Sequence, residues 1–217
     1  MTNSSNNEHH VRLSDKIEGQ FELTPLHLHH TRGDAEEYPP VLALMPVDAG
    51  RLLDEYERCH ERLGDRYLVD RKDHLNCGFD EAVGILKDYG FYSSYLARSL
   101  LQTGKTEFFP EVPEHTRALF NDRLSPFCRV HYATAQPGWR TVFHRDCDHF
   151  RQHGFRINIP LSESAYLRFR IGGRVEEYEL VPGHAWFVNN ALEHLAYNPC
   201  PKPRVSILAQ LMTDALF

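Results

Sequence analysis

The residues with the clearest chemical potential lie in the last third of the chain. His144 and Asp146 are separated by one residue, and a second histidine, His194, follows later. Two imidazoles and one carboxylate are typical ligands of a mononuclear non-haem Fe(II) centre, in which the opposite side of the metal stays open. If His144 and Asp146 lie on a strand, its period of two points both side chains to one face. The spacing therefore predicts an iron site, with His194 supplied by a second strand.

The same region contains other candidate metal ligands. His149, His153 and Asp148 lie close to the H-x-D triplet, and the chain has 14 histidines, so a histidine alone carries little weight. Asp148 is four residues from His144, an unfavourable spacing along a strand. A short motif of this kind often arises by chance, so its interpretation depends on the residues that accompany it.

Two polar residues of the last predicted strand could bind an organic anion. Arg204 lies ten residues after His194, and it alternates with Ser206 among apolar residues, so both project to the opposite side from those residues. A planar guanidinium can bind a carboxylate through two hydrogen bonds, and a hydroxyl adds a third. Arg156 and Asn158 project together from another strand and could reach a second carboxylate. With the iron ligands, this pattern indicates an oxygenase that uses 2-oxoglutarate.

Length and composition indicate one globular domain. The chain has 217 residues, of which 41% are hydrophobic and 25% charged, ordinary values for a soluble protein. The formal net charge of −6 argues against a nucleic-acid partner, which would favour a basic surface. No apolar run has the length of a membrane span, and residues 1–10 lack the apolar stretch of a secretory signal. We expect a disordered segment at 1–20 and a single domain at 21–217.

The cysteines point to a reducing compartment. Five cysteines occur, an odd number, and none forms a C-x-x-C pair. This is neither a disulfide framework nor a typical zinc site, and free thiols suit a reducing environment. The sequence therefore predicts a cytoplasmic protein without a membrane partner, and it leaves the oligomeric state open.

The first half of the chain is predicted to be mixed, with several helices. The apolar run 40–46, bounded by prolines, predicts a strand, and Asp48 can cap a following helix whose apolar residues recur at three- and four-residue spacing. Pro113 is suited to begin a further helix that contains Leu119 and Phe120. The other predicted helices cover 80–89 and 91–102.

From residue 127 the pattern changes to short strands separated by turns. Residues 155–161 alternate apolar and polar side chains, and Gly172-Gly173 lies between two strand-like runs, as in a β-hairpin. Many short, evenly spaced strands suggest a double-sheet jelly roll of the cupin type. The fold class is therefore α+β, with a helical N-terminal half at about 48–123 packed on a double-stranded β-helix at about 127–213. The predicted strands are 128–134, 140–146, 155–161, 166–171, 175–180, 185–188, 194–197 and 205–212.

About the last 85 residues resemble the aspartyl/asparaginyl β-hydroxylase family, which includes bacterial free-proline hydroxylases. Pro137-Gly138 precedes His144 by the family's interval, and residues 155–161, FRINIPL, are similar to its R-x-H-L strand. Residues 183–194 resemble its G-x-x-x-x-F-D-D-x-x-x-H signature, and Arg204 follows at the family spacing. The triplet 144–146 is similar to the proline-hydroxylase branch.

The resemblance implies a double-stranded β-helix that binds Fe(II) and 2-oxoglutarate and uses dioxygen to hydroxylate an amino-acid side chain. It implies that the H-x-D residues and His194 hold iron, that Arg204 binds the distal carboxylate of 2-oxoglutarate, and that Arg156 helps with the proximal one. Asn158 stands where the family has His. Two further departures are Asn189-Asn190 in place of Asp-Asp, and Ala133 in place of a serine, whose task Ser206 could take over.

The predicted substrate is small and polar: a free amino acid, or an amino-acid residue in a peptide or on a carrier protein. The carboxylate of Asp146 favours hydroxylation over halogenation, because a halide would need its place at the metal. Arginines on the predicted hairpin could instead be solvated surface charges, and a buried tryptophan is more often part of a core. The candidate substrate residues are Trp139, Arg168, Arg170 and Trp186.

Two other classes of protein remain open at this point. One is a cupin-type dioxygenase or isomerase that uses the same metal without 2-oxoglutarate, which would leave Arg204 without a role. The other is a non-catalytic, cupin-like binding domain, against which the intact set of metal ligands argues.

Overall fold

The computed structural model describes residues 10–11, 38–63, 91–100, 105–124, 128–146 and 154–212. The described residues build two larger β-sheets, of six and four strands, and a two-stranded sheet lies beside them. Every strand pair is antiparallel except the pairing of the short first strand with its neighbour.

The larger sheet contains the first and last long strands of the chain. Its strands are β2 (Val41–Pro46), β3 (Phe91–Tyr95), β6 (Cys128–Ala135), β7 (Gly154–Pro160), β10 (His184–Val188) and β12 (Arg204–Met212). Their spatial order is β2-β10-β7-β12-β6-β3, so strands distant in sequence lie side by side.

The smaller sheet has the order β1-β9-β8-β11, and β4 pairs with β5 separately. From β7 onwards the chain passes repeatedly from one large sheet to the other, the arrangement of a jelly roll, which confirms that part of the predicted fold. The remaining strands are β1 (His10–Val11), β4 (Ala97–Leu100), β5 (Lys105–Phe108), β8 (Ala165–Ile171), β9 (Arg174–Leu180) and β11 (His194–Tyr197).

The turn between β8 and β9 is the predicted hairpin. Gly172 and Gly173 have φ angles of 54° and 79°, which side chains with a Cβ rarely adopt and which two-residue hairpin turns require. The two strands then pair from Ala165↔Leu180 to Ile171↔Arg174. The glycine pair therefore fixes the register between β8 and β9.

Helices cover the outer face of the larger sheet. Helix α1 (Ala49–Leu63) begins where predicted, and the Asp48 carboxylate accepts a hydrogen bond from the Arg51 backbone N–H at 3.0 Å. Helix α2 (Glu114–Ala118) follows Pro113 and continues as a wider π-type turn at Leu119–Leu124. Buried side chains of these helical segments, among them Leu52 and Phe120, pack on alternate residues of three strands. The strand residues include Val130 of β6, Ile159 of β7 and Ile207 of β12.

A second apolar cluster lies between the two large sheets. It joins Val41, Trp186 and Val188 of the larger sheet to Phe169 and Leu180 of the smaller one. Burying large apolar side chains in this way stabilises the fold by about 1.5–3 kcal/mol each. The sheets therefore pack face to face, and the polar side chains of the inner faces share this interior.

The prediction of a helix at 91–102 is wrong for the residues that the structure describes. Residues 91–95 and 97–100 form β3 and β4, and the Leu96 N–H donates to the Val130 carbonyl at 2.9 Å. Leu96 is fully buried. The aromatic residues before it favour a strand, and as a strand this segment pairs with β6, which a helix could not do.

Segment 140–146 is not the regular strand that was predicted. It forms only isolated bridges, Arg140↔Tyr197 and His144↔His194. The predicted helix at 80–89 lies outside the described residues, as does segment 1–20 apart from His10 and Val11. None of the described helices has the length and apolar character needed to cross a membrane.

Candidate metal centre

The three predicted metal ligands converge. The backbones of His144 and His194 form a reciprocal pair of hydrogen bonds, of 2.9 and 2.8 Å, and the Asp146 N–H donates to the Asn190 carbonyl at 3.1 Å. These bonds hold segment 140–146 against β11 and the turn before it. One side-chain ligand atom from each of His144, Asp146 and His194 lies within 4.8 Å of the others, so the three side chains could bind one ion.

Both imidazoles present the same nitrogen to the centre. Nδ1 of His144 lies 2.8 Å from the Val142 carbonyl, and Nδ1 of His194 lies 2.9 Å from the Leu192 carbonyl. A carbonyl only accepts hydrogen bonds, so in each ring Nδ1 carries the proton and Nε2 keeps its lone pair. Backbone partners of this kind orient histidines that bind metals. The two rings are therefore held in the tautomer that a divalent cation requires.

The Asp146 carboxylate has one oxygen engaged by the protein. Its Oδ2 accepts hydrogen bonds of 2.8 Å from Arg156 Nη2 and from Asn190 Nδ2. Its Oδ1 faces the cluster, 3.6 Å from Nε2 of His144. One carboxylate oxygen is therefore directed at the ligand cluster, and the other is held by two donors.

The charge states of Asp146 and His194 suit cation binding. Burial raises the pKa of Asp146, but the nearby Arg156 charge and the His144 and Asn190 contacts outweigh it, so that pKa lies well below its usual range. Burial also lowers the pKa of His194, which favours its neutral form. The neighbouring Asp146 carboxylate raises the pKa of His144, so a cation would compete with a proton for Nε2 of this ring.

Arg204 is a buried cation beside Trp139. Its side chain is on the inner face of β12, its Nη1 donates to the Tyr197 carbonyl at 2.9 Å, and its Cζ lies 5.9 Å from the centre of the Trp139 ring. Burial lowers the pKa of Arg204 to about 10, so the guanidinium stays charged at neutral pH. Within the described part of the chain, no carboxylate forms an ion pair with it.

Further polar side chains lie on the same inner face of the larger sheet. Directly paired residues of antiparallel strands share a face, and the register pairs Leu208 with Asn158 and Gln210 with Arg156. Ser206 alternates with these residues on β12. Ser206 Oγ, Asn158 Oδ1 and Gln210 Nε2 are buried atoms without a hydrogen-bond partner among the described residues. Buried polar atoms usually have partners, so this face is suited to a polar ligand.

The two tryptophans among the substrate candidates differ in position. Trp139 contacts Arg204, as described above, and therefore lies beside a predicted co-substrate residue. Trp186 is fully buried in the cluster between the sheets, and its indole N–H donates to the Val181 carbonyl at 2.9 Å. That environment favours a core role for Trp186.

The structure does not bring Arg168 and Arg170 to the ligand cluster. Both alternate on β8 with the buried residues Leu167 and Phe169, so they lie on the outer face of the smaller sheet, whereas His194 pairs with Phe169 and points inward. Arg168 forms an ion pair with Glu177, and Arg170 forms one with Glu193 at 2.8 Å. The structure therefore places both arginines away from the candidate metal ligands, and a contact with substrate stays a prediction.

Two residues that contact the ligand set were missed in the sequence. Asn190 and Gln210 are both 4% exposed and hydrogen-bond to Asp146 or to its partners. A signal existed for Gln210, because it continues the alternation of Arg204 and Ser206 along the last strand. The rival ligands Asp148, His149 and His153 lie outside the described residues.

A cavity of about 490 Å³ lies apart from the ligand cluster. It opens between α1 and α2 and is lined by residues of both, including Arg51, Glu55, Arg58 and Arg117. None of the residues predicted to bind metal, co-substrate or substrate lines it.

Comparison with known proteins leaves the family of this chain unassigned. No protein-family model and no curated protein sequence matches it. Among solved structures, an oxidoreductase of the 2OG-Fe(II) oxygenase family from Burkholderia pseudomallei is 13% identical, with a TM-score of 0.45, over 77% of this chain and 93% of that one.

Two other solved structures are similar at the same low level. Peruvianin-I, a cysteine peptidase from Thevetia peruviana latex, is 13% identical, with a TM-score of 0.38, over 69% of this chain and 78% of that one. An oxalate oxidase in complex with glycolate is 12% identical, with a TM-score of 0.37, over 57% of this chain and 52% of that one. The chain thus spans about half the length of the oxalate oxidase. Similarities of this size carry no argument about function. The function proposed below rests on the chain's own residues.

Proposed function

We propose that the protein is an Fe(II)- and 2-oxoglutarate-dependent dioxygenase that hydroxylates an unactivated C–H bond of an amino-acid side chain. The single observation that carries this proposal is the combination of a His/Asp/His cluster with a buried arginine that has no anionic partner among the described residues. A buried charge without a counter-charge is costly, and a bound carboxylate would remove that cost.

The donor set fits Fe(II). Nε2 of His144, Nε2 of His194 and one oxygen of Asp146 are the atoms that would hold the metal, and two imidazoles with one carboxylate are the donors this ion takes in oxygenases that leave coordination positions open. When bound, the iron supplies the oxidation chemistry with dioxygen and 2-oxoglutarate that amino-acid side chains cannot perform. The protein's part is to bind, orient and shield the reactants.

The position of Arg204 suits a dicarboxylate that reaches the metal ligands with its other end. Arg204 donates to the carbonyl of Tyr197, which is three residues after His194 on β11. Three residues of strand cover roughly 10 Å, a span suited to a five-carbon dicarboxylate together with the groups that bind its ends. We assign the distal carboxylate of 2-oxoglutarate to Arg204, with the Ser206 hydroxyl as a further donor.

The apolar interior would keep water from the reaction. The Phe169 ring lies 5.7 Å from the His194 ring, and Phe169 belongs to the buried cluster between the two sheets. A dry environment strengthens the Arg204 interaction with a carboxylate. The same environment would confine oxidation to a substrate C–H bond placed next to the metal.

For the substrate we propose a free amino acid, or an amino-acid residue of a peptide or carrier protein. Trp139 is the candidate that lies next to a co-substrate residue and could form part of the wall between the two ligands. The hairpin arginines, which lie on the outer face of the smaller sheet, are not assigned to the substrate.

A second candidate function is a cupin-type metal enzyme that does not use 2-oxoglutarate. The observation that favours it is the pair of contacts that Arg204 already makes, the hydrogen bond to the Tyr197 carbonyl and the packing on Trp139. These contacts would give the arginine a structural role that needs no ligand.

Anaerobic titration of 2-oxoglutarate into Mn(II)-loaded protein separates the two functions. We expect wild type to bind 2-oxoglutarate, and Arg204→Ala to bind it about 10- to 100-fold more weakly, since a charge-assisted hydrogen bond contributes about 1.5–3 kcal/mol. Arg174→Ala, which removes an exposed arginine of the hairpin, is the matched control and should bind as wild type does. Absence of 2-oxoglutarate binding by metal-loaded wild type would favour the second function.

A further inference from the structure

Rotation of a metal-binding carboxylate can be restricted by the groups around it, and here three side chains surround Asp146. We propose that Arg156, Asn190 and Gln210 are positioning residues, which orient Asp146 so that it binds a metal through one oxygen only. This inference rests on the metal site proposed above. They form a connected hydrogen-bond network on the inner face of the larger sheet.

Two donors converge on the same carboxylate oxygen. Arg156 Nη2 and Asn190 Nδ2 each lie 2.8 Å from Asp146 Oδ2. The two donors occupy both acceptor sites of Oδ2, so binding a cation through both oxygens would displace at least one of them. The arrangement therefore leaves Oδ1 as the oxygen for a metal and uses Oδ2 as an anchor.

Gln210 links the two donors to each other. Its Oε1 accepts from Arg156 Nε at 3.3 Å and from Asn190 Nδ2 at 3.4 Å. Because both partners are donors, they determine the orientation of the Gln210 amide. The strand pairing supports this contact. Gln210 of β12 lies directly opposite Arg156 of β7. Val188 of β10 lies opposite Arg156 on its other side, which brings Asn190, two residues later, close to the same arginine.

The chemical type of residue 190 matters to the network. An asparagine supplies the N–H that Asp146 Oδ2 accepts, whereas an aspartate there would bring a second negative charge to within hydrogen-bond distance. Two adjacent carboxylates would have to share a proton or move apart. Asn190→Asp is therefore expected to disturb Asp146 more than Asn190→Ala does, although it is closer to Asn190 in shape.

The test uses Co(II) as a spectroscopic probe of the full-length protein. The dissociation constant and the visible absorption spectrum are measured for wild type, Arg156→Gln, Asn190→Ala and Asn190→Asp. Each substitution should weaken Co(II) binding about 10- to 100-fold, the usual effect of removing a partner of a metal ligand, and should change the spectrum. Arg174→Gln, at an exposed position of the hairpin, is the matched control for Arg156→Gln and should change neither.

Gln210 acts only through its neighbours, so its effect should depend on them. Gln210→Leu is expected to weaken Co(II) binding, and its effect should shrink in an Asn190→Ala background, because residues of one network are not additive. Equal effects of Gln210→Leu in both backgrounds would overturn its place in the network. Arg156→Lys, which keeps the charge, should recover part of the affinity lost in Arg156→Gln.

Asp146→Ala distinguishes failure of this inference from failure of the metal site. If Asp146→Ala loses Co(II) binding while folded Arg156→Gln and Asn190→Ala bind as tightly as wild type, with an unchanged spectrum, the positioning role is overturned and the metal site stands. If Asp146→Ala itself binds Co(II) normally, the metal site is wrong and the inference falls with it. Circular dichroism of each metal-free variant verifies folding, and Asn190→Ser replaces any variant that does not fold.

Discussion

The Arg156 guanidinium donates to Asp146 Oδ2 across 2.8 Å, so a predicted co-substrate residue directly contacts a predicted metal ligand. From the sequence, Arg156 was expected to help bind the proximal carboxylate of 2-oxoglutarate. In the structure the same side chain also reaches Gln210 through Nε. This contact gives Asp146 a fixed positive partner. Arg204, in contrast, is a buried arginine of the same face that forms no ion pair with a described carboxylate.

The ion pair predicts a pH dependence of the metal-free protein. The pKa of Asp146 in the folded state lies below its usual range, whereas the unfolded value is about 3.9. The stabilisation that ionised Asp146 provides is therefore complete above the unfolded pKa and is lost as pH falls toward the folded one. Thermal unfolding of wild type and Asp146→Asn from about pH 5 to about pH 3 tests this.

We expect the wild type to be more stable than Asp146→Asn at the upper end of this range, with a difference that shrinks below the unfolded pKa. At these pH values histidines exposed by unfolding are already protonated, so the difference reports mainly on the carboxylate. A difference that stays constant across the range would show that the ion pair adds no stability. Arg170→Gln serves as a control for loss of an exposed ion pair.

The outer-face arginines should be dispensable for catalysis. Arg168→Ala and Arg170→Ala each remove one exposed or half-exposed ion pair, with Glu177 and Glu193 respectively, and such pairs contribute about 0–1 kcal/mol. We expect the Michaelis constants for substrate and 2-oxoglutarate to stay within about twofold of wild type, since twofold corresponds to only about 0.4 kcal/mol. A rise of tenfold or more in the Michaelis constant for substrate would show that these arginines take part in substrate binding.

Trp186→Phe should affect stability more than substrate recognition. The substitution removes the hydrogen bond to the Val181 carbonyl and leaves space in the cluster between the sheets. A partly buried carbonyl left without its donor costs up to about 1–3 kcal/mol, which thermal or urea unfolding would detect. If stability is instead unchanged while the substrate Michaelis constant rises, Trp186 contacts substrate and the core assignment is wrong.

Much of the jelly roll could be predicted because its strands carry their own signals. The glycine pair at 172–173 marks the hairpin, and the alternation in β7 and β12 distinguishes the apolar face that meets the helices from the polar inner face. The segment at 91–102 was mispredicted because its spacing also suits a helix. Pairing of β3 with β6 decides its structure, and such a long-range contact has no signature in a short window of sequence.

The ligands themselves could be predicted from residue type and spacing, but their surroundings could not. Asp146 was predicted to bind the metal and Arg156 to bind 2-oxoglutarate. Nothing in the sequence shows that these two side chains contact each other. Asn190 looked like a departure from a family signature, and only the return of the chain beside segment 140–146 reveals it as a donor to Asp146. Contacts made by folding across strands are therefore what the structure adds.

Fe(II)-dependent conversion of 2-oxoglutarate to succinate by the purified protein tests the central claim most directly. The assay is run with a panel of free amino acids and with Asp146→Ala and Arg204→Ala as controls. We predict succinate formation that requires Fe(II), that one amino acid stimulates, and that both variants lose at limiting 2-oxoglutarate. Absence of succinate with every amino acid, together with no anaerobic binding of 2-oxoglutarate by the metal-loaded protein, would contradict the claim.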